Sequence, residues 1–332
     1  MKNKIKSNLK FAFIGCGLIA NKRASTISKN SIKGCFDINK TKAKMFAKKF
    51  NCKSYNDYMR LIEESRVVIV STPHRYLDKY TLLSLKSGKH VLVEKPAAIN
   101  SLKIKNLLRK SNNLKKLKIQ VGYNHRFHPS IIKALKMIKK NTIGDIMYIR
   151  SRYGHGARKN YDKEWRMNKF ISGGGELIDQ GSHIIDLSRI ILGEFVKVDS
   201  TLNNFFWKSR VEDNAFLTLK TINNKVAFLH ASCTEWKNKF SFEIFGKKGK
   251  LEINGLGGSY GEEKLYYYKM SKNLGKPSLK IWNYSSKKDI SWKNELSDFI
   301  HSIKFNKKVS CGLNDAYMNM KIIDKCYKKI KR

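Results

Sequence analysis

No stretch of this 332-residue chain approaches the ~20 consecutive apolar residues that a membrane-spanning helix needs, so a membrane partner is not expected. Cysteine pairs at metal or redox spacing are missing as well. Cys16, Cys35, Cys52, Cys233, Cys311 and Cys326 form no CxxC and have no histidine at zinc-finger distance, so reduced thiols and no metal site are the expectation. The basic opening MKNKIKSNLK is followed by only four apolar residues before Cys16, short of the ~7 to 15 of a signal core. That run reads as a buried strand, and the chain as cytoplasmic. Acidic residues are scarce: 26 Asp and Glu stand against 68 Lys and Arg, a net charge of +42. Such an excess can mark a nucleic-acid binder. Here lysines spread along the whole chain and outnumber arginines, which describes solvated faces and no specific nucleic-acid partner. The field still speeds encounter with anions and gives weak, salt-sensitive binding to polyanions. Internal repeats and low-complexity linkers are also absent.

What is present suffices for two domains with ordinary cores. In the first third, short apolar runs at 11–15, 33–37, 67–71, 90–94 and 118–122 alternate with amphipathic stretches. In 41–50, for example, Ala43, Phe46, Ala47 and Phe50 share one helical face. This is the rhythm of a doubly wound parallel sheet. After Asn124 it changes. A helix begins near Pro129, a strand covers 145–153, and a glycine-rich break at 173–175 precedes a helix to Leu192. Runs at 195–207, 215–221, 226–234, 240–245 and 250–254 then read as one large, mostly antiparallel open sheet, closed by helices at 292–305 and 314–330. The expected architecture is α/β over 1–124 followed by an α+β domain over 125–332.

In FAFIGCGLIA, Gly15 and Gly17 follow a strand and precede a helix opening with Leu18 and Ile19, with the small Ala20 at the third motif position. The first glycine makes the tight turn, the second leaves room for pyrophosphate, and the third residue lets helix pack on strand. The helix N-terminus then faces the phosphates. Asp37 ends the next strand, where a carboxylate accepts from the adenosine ribose hydroxyls. It would repel a 2′-phosphate, and Ile38 and Asn39 supply no arginine to hold one, so a Rossmann domain taking NAD in preference to NADP is expected. A structural turn, with Asp37 as a cap, is the plainer alternative.

Two further segments carry chemistry. GKHVLVEKPAA ends a strand in Glu94, Lys95 and Pro96, which sets Lys95 at the carboxyl edge of the sheet. GGGELIDQGSHIIDLSRIILGE sets Asp179 and His183 four apart on one helical face. With Gly15-x-Gly17, these motifs resemble the glucose-fructose oxidoreductase and inositol dehydrogenase family, Gfo/Idh/MocA, in order and spacing over essentially the whole chain. The resemblance implies Lys95, Asp179 and His183 as the catalytic set. An imidazole suits removal of a hydroxyl proton while hydride leaves carbon, and an ammonium suits a developing alkoxide. Asp179 would orient the imidazole or bind the sugar. The resemblance further places Ser71, Thr72, Pro73, His74, Asn124, Trp165 and Arg166 around the cofactor and Arg126 at the substrate. Many relatives carry a histidine where this chain has Leu77, its nearby histidine being His74. A competing reading takes Glu176, Asp179 and His183 as metal ligands, but leaves the glycine motif unexplained.

For the substrate, the loop over 152–166 concentrates Tyr153, His155, Arg158, Lys159 and Tyr161, aromatic faces and cations that suit a sugar bearing phosphate or carboxylate. Tyr260, in NGLGGSYGEE, adds another wall. By resemblance to members linked to surface-polysaccharide synthesis, a nucleotide-activated sugar is expected. Relatives also imply a homodimer or homotetramer through the open sheet face, consistent with Phe205, Phe206, Trp207, Phe216, Phe228 and Trp236. Two other functions fit the same residues: a glycosidase or dehydratase recycling bound NAD, and a non-catalytic sensor using the cleft.

Overall fold

A computed structural model describes residues 5, 8–114, 116–285 and 289–330. The chain divides into two compact units, Met1–Tyr123 with Trp292–Met318, and Asn124–Ser291 with Asn319–Arg332. Where the sequence suggests one boundary, the chain thus returns to the first unit before ending in the second. No described helix is long and apolar enough to cross a membrane.

The first unit is built on β1 (Phe11–Ile14), α1 (Leu18–Ala24), β2 (Ile32–Phe36), α2 (Lys40–Phe50), β3 (Lys53–Ser54), α3 (Tyr58–Glu63), β4 (Val67–Val70), α4 (His74–Lys86), β5 (His90–Glu94), α5 (Ser101–Ser111) and β6 (Ile119–Gly122). The runs FAFI, VVIV and HVLVE are buried throughout, as strands covered by helices on both faces must be. Among the described residues the parallel sheet runs β3-β2-β1-β4-β5-β6. Its strand order reverses between β1 and β4, and the crevice at such a point is where ligands bind. Asn39 and Asn100 cap α2 and α5 by accepting from Lys42 and Lys103 N–H. Leu296 and Phe299 pack into the β1 core beside Phe13, Phe46 and Leu92.

The second unit holds α6 (Pro129–Lys139), β7 (Ile146–Gly154), α7 (Lys169–Ser172), α8 (Ser182–Leu192), β8 (Phe195–Asn203), β9 (Asn214–Thr221), β10 (Val226–Ser232), β11 (Lys239–Gly246), β12 (Gly249–Asn254), β13 (Lys264–Lys269) and β14 (Ser278–Asn283). The last helices are α9 (Ser291–Lys304) and α10 (Leu313–Ile330). The sheet order is β14-β13-β12-β11-β7-β10-β9-β8, antiparallel except where β7 and β10 pair in parallel. Strands β13 and β14 are additions to the sequence reading. Their outlying positions, half-buried along β13 and exposed along β14, relax the alternation that reveals a strand. Another departure lies at the head of the long helix. Leu177–Gly181 forms a π-turn before α8, so the α-helical spacing expected between Asp179 and His183 is wound wider there.

Candidate active site

Because β1, β4 and β5 are neighbours, the loops leaving their carboxyl ends lie side by side. Ser71 N–H donates to the Ile14 carbonyl at 2.8 Å and Ser71 Oγ to the Gly15 carbonyl at 3.0 Å, stitching the first two loops together. Gly15 has φ of +91°, and a Cβ there would sit 2.6 Å from the Ser71 carbonyl oxygen. Only glycine fits. Gly17 differs, since a Cβ there would meet nothing within 4 Å. Asp37 follows β2 and braces the glycine loop, its carboxylate accepting from Cys16 N–H and Asn39 N–H, each at 2.8 Å. Thr72 Oγ1 is buried with no hydrogen-bond partner among the described residues. An open face at Gly17 and a polar atom awaiting a partner at Thr72 fit a dinucleotide in this crest. Gly17, Leu18 and Ile19 would lie along its phosphates and Asp37 at its ribose.

Glu94 points elsewhere. Its carboxylate accepts from Arg23 Nε at 2.5 Å, while Arg23 Nη1 reaches Glu295 at 2.6 Å and the guanidinium lies 4.9 Å from the Trp292 ring centre. Burial pushes Glu295 up to about 7, the Glu94 carboxylate adding to it and Arg23 opposing. The triad ties α1, β5 and α9 beneath the turn in which the Lys95–Pro96 peptide is cis and Ala97 N–H donates to the Glu94 carbonyl at 3.0 Å. Lys95 is half-buried on that turn and His74 is buried in the first turn of α4.

In the second unit His183 is buried, and its ring stacks on that of His125 with centroids 3.8 Å apart and planes inclined by 24°. Tyr153 stands 6.1 Å from His183 and 5.1 Å from His125, and continues into a wall with Phe240 at 5.4 Å and Tyr260 at 4.9 Å. Gln180 Nε2 donates to Tyr260 Oη at 3.3 Å. Burial holds the Tyr153 phenol well above its usual range, so it stays a neutral hydroxyl. Imidazole faces, phenols and an amide make a polar, aromatic-lined surface of the kind that receives a sugar ring.

The three expected arginines are engaged by carboxylates. Arg166 Nε donates to Asp179 at 3.0 Å and its guanidinium lies 4.7 Å from the Trp165 ring centre. Arg126 grips Asp186 with two hydrogen bonds of 2.6 and 2.5 Å, and Asn319 donates to the same carboxylate at 2.9 Å. Exposed Arg158 pairs with Glu164. Tyr161, expected to face substrate, is 1% exposed and donates to Glu176 at 2.9 Å. Glu176 is itself buried, with His155 Nε2 3.6 Å away; burial, and then the Asp179 carboxylate, push it up to about 8. Burial holds His155 down, toward its neutral form. Asn124 donates to Ser291 Oγ at 3.0 Å. Among the described residues no group of three or more His, Cys, Asp or Glu could hold a metal ion.

The glycine-rich break is filled by protein. A Cβ on Gly175 would lie 1.9 Å from the Glu212 carbonyl oxygen, and one on Gly174 1.9 Å from Tyr327 Oη. Glu212 accepts from Gly175 and Leu177 N–H at 3.0 Å each and from Tyr327 Oη at 2.7 Å. His125 and Glu212 escaped the sequence reading. The H-x-x-H spacing in GYNHRFHP was the available signal for the first; Glu212 offered none, since its partners are distant in sequence.

A doubly wound parallel sheet with an open glycine crest in one unit, and a long helix carrying a buried histidine in the other, define a two-domain α/β protein of the dinucleotide-binding class. Residues 9–123 match the family model described as the oxidoreductase family, NAD-binding Rossmann fold, and residues 131–252 match the Gfo/Idh/MocA C-terminal domain. The chain belongs to the Gfo/Idh/MocA family. It is 26% identical to levoglucosan dehydrogenase of Pseudarthrobacter phenanthrenivorans over 230 residues, 60% of this chain and 59% of that protein. It is 33% identical to glucose-6-phosphate 3-dehydrogenase of Bacillus subtilis over 187 residues, 54% of this chain and 52% of that one. Those alignments therefore span between half and three-fifths of these relatives. A solved levoglucosan dehydrogenase, in complex with NADH and levoglucosan, shares the fold with a TM-score of 0.87 at 22% identity, covering 97% of this chain and 96% of that chain.

Proposed function

We propose that the protein oxidises a secondary hydroxyl of a sugar, or reduces the corresponding ketone, with NAD. NAD supplies the hydride acceptor when bound. His183 takes the hydroxyl proton in the oxidising direction, and the Lys95 ammonium stabilises the oxygen as it becomes anionic. Asp179 keeps Arg166 in place and contributes the negative charge that favours an imidazolium at the moment of transfer. Tyr153, Tyr260 and Gln180 hold the ring. The observation that carries the reading is the enclosed His183 imidazole beside an aromatic, hydroxyl-bearing wall, on a chain whose two family domains both match.

The commitment of Arg126, Arg158 and Arg166 to carboxylates favours a neutral ring at the reacting end. Any phosphate or nucleotide on the sugar would then be read by other groups. The relatives are named for different sugars, levoglucosan in one case and glucose 6-phosphate in another, which sets the panel to be screened. The test is a thermal-shift and NADH-formation screen crossing NAD and NADP with levoglucosan, D-glucose, D-glucose 6-phosphate and UDP-N-acetylglucosamine. A ligand at 100 times its Kd adds about 2.7 kcal/mol of stability. Stabilisation by NAD and NADH formation with a neutral sugar are expected. Turnover confined to UDP-N-acetylglucosamine overturns the neutral-ring reading, product formed without net NADH favours a hydrolase or dehydratase that recycles NAD, and indifference to both dinucleotides ends the proposal.

We further propose a homodimer or homotetramer formed through the outer face of the large sheet. There Phe216 and His230 stack at 4.2 Å and Phe228 is half-exposed in a hollow of about 430 Å³ bordered by Arg150 and Lys239. Light scattering on the eluted protein measures the mass, and a monomer at micromolar concentration would refute the assembly.

A further inference from the structure

We propose that His125 is a positioning residue whose imidazole fixes the ring plane of His183; the inference rests on the reading of His183 as proton acceptor. The two rings overlap almost face to face at 3.8 Å, so His183 cannot rotate about its last side-chain bond without losing that contact. His125 is itself immobilised by hydrogen bonds whose directions follow from one another. Ser291 Oγ donates to Asp289 at 2.6 Å, so the same oxygen accepts from Asn124 Nδ2 at 3.0 Å. The Asn124 amide is thereby oriented with its carbonyl oxygen toward His125 Nδ1, 3.2 Å away. A carbonyl only accepts, so Nδ1 carries the proton, and the neutral ring holds its lone pair on Nε2. Asp289 thus sets the tautomer of His125 through two intervening side chains.

The stack has a chemical consequence. Two imidazolium charges in face contact repel, so a proton on one ring disfavours a proton on the other. Aromatic rings and groups with named partners surround the pair. Tyr153 and Phe240 meet His125 at 5.1 and 6.0 Å, and His128, edge-on at 5.6 Å, is paired with Glu263 at 2.9 Å. Asp179, on the π-turn preceding α8, is engaged with Arg166.

The test uses the full chain with 15N-labelled histidine, assigned through His125→Phe and His183→Asn. A two-bond 1H–15N spectrum near neutral pH is expected to show His125 protonated at Nδ1 and bare at Nε2. The His183 ring proton should be shifted upfield by the neighbouring ring current, a shift kept in His125→Phe and lost in His125→Ala. NADH formation from levoglucosan and from D-glucose 6-phosphate gives the second readout. His125→Ala should lower kcat by at least about tenfold, since a misdirected reacting group costs that much or more. KM should stay within about twofold, because the lost interaction does not bind the ground state. His125→Phe, which restores a flat ring, should recover most of kcat. An Nε2-protonated His125, or a His183 resonance unmoved in His125→Ala, overturns the inference whatever the activity. His183→Asn with undiminished kcat would instead refute His183 as the base, leaving the spectra to decide the stack. An inactive His183→Asn beside a fully active His125→Ala would refute the positioning role alone.

Discussion

Gly15-x-Gly17 and Gly173–Gly175 look alike as sequence, each a glycine cluster ahead of a helix, yet one faces open space and the other is packed solid. A side chain at Gly17 would meet nothing within 4 Å, whereas side chains at Gly174 and Gly175 would run into Tyr327 and Glu212 at 1.9 Å. Glycine in the first cluster keeps room for a ligand; in the second it lets α10 and the segment before β9 close on the head of the histidine helix. The sharpest way to break this contrast is Gly175→Ala. The clash is with backbone, which has no rotamer to escape into, so a loss of about 3 kcal/mol or more is expected in denaturant unfolding. A loss under about 1 kcal/mol would show that the second cluster is as open as the first.

Glu176, directly after the packed cluster, gives that region a pH dependence. Its carboxyl is pushed up to about 8 from an ordinary 4.5, burial being the main cause. Between those values the native state holds a proton that the unfolded chain has released, so stability falls as pH rises. Glu295, held up to about 7, acts with the same sign within the first unit. Glu176→Gln keeps an acceptor for Tyr161 and does not titrate. It should therefore flatten the decline by on the order of 2 kcal/mol between pH 5 and 8, read as a raised Tm at the alkaline end. Parallel Tm profiles for the variant and the parent would place that proton elsewhere.

The crest of the first unit was legible because its signals are local. Buried apolar runs mark β1, β4 and β5, and the loop chemistry follows each strand directly, so Gly15, Gly17, Ser71 and Lys95 fall beside one another once the sheet is inferred. The second unit was half legible. The strands over 214–254 alternate cleanly, but β13 buries only Leu265 and β14 is exposed along most of its length, so neither carries such a pattern. Its site depends on long-range partners. Tyr161 reads as a substrate contact and is a buried donor to Glu176; Arg126 is placed at the substrate by resemblance and holds Asp186. In a chain with 68 basic residues, no local rule distinguishes an arginine claimed by a distant carboxylate from one awaiting a ligand. The π-turn over Leu177–Gly181 was likewise hidden, since the helical periodicity on either side of it is intact.

Gly17→Ala sharpens the contrast from the open side. Gly17 adopts φ of −74°, which alanine tolerates, so Tm without cofactor should move by no more than about 0.5 kcal/mol in stability. NADH affinity, followed by nicotinamide fluorescence, should weaken about tenfold, or ~1.4 kcal/mol, because the methyl occupies the approach of the pyrophosphate. Unchanged affinity would mean that the cofactor does not pass over this residue.

The smallest expected effect tests the packed side without a clash. Tyr327→Phe removes one of three donors to Glu212 Oε1 and leaves the Gly175 and Leu177 amides in place, so the cost should be about 1 kcal/mol. The variant also opens a more discriminating comparison. A Cβ on Gly174 lies 1.9 Å from the hydroxyl oxygen but also 2.4 Å from the ring carbon that bears it. Deleting the hydroxyl therefore leaves the steric block standing. Gly174→Ala should destabilise the Tyr327→Phe protein nearly as much as the parent, a coupling below about 0.5 kcal/mol in a double-mutant cycle. Substantial rescue would show that the hydroxyl alone fills the space, and that the second glycine cluster serves a hydrogen bond in place of a packed ring.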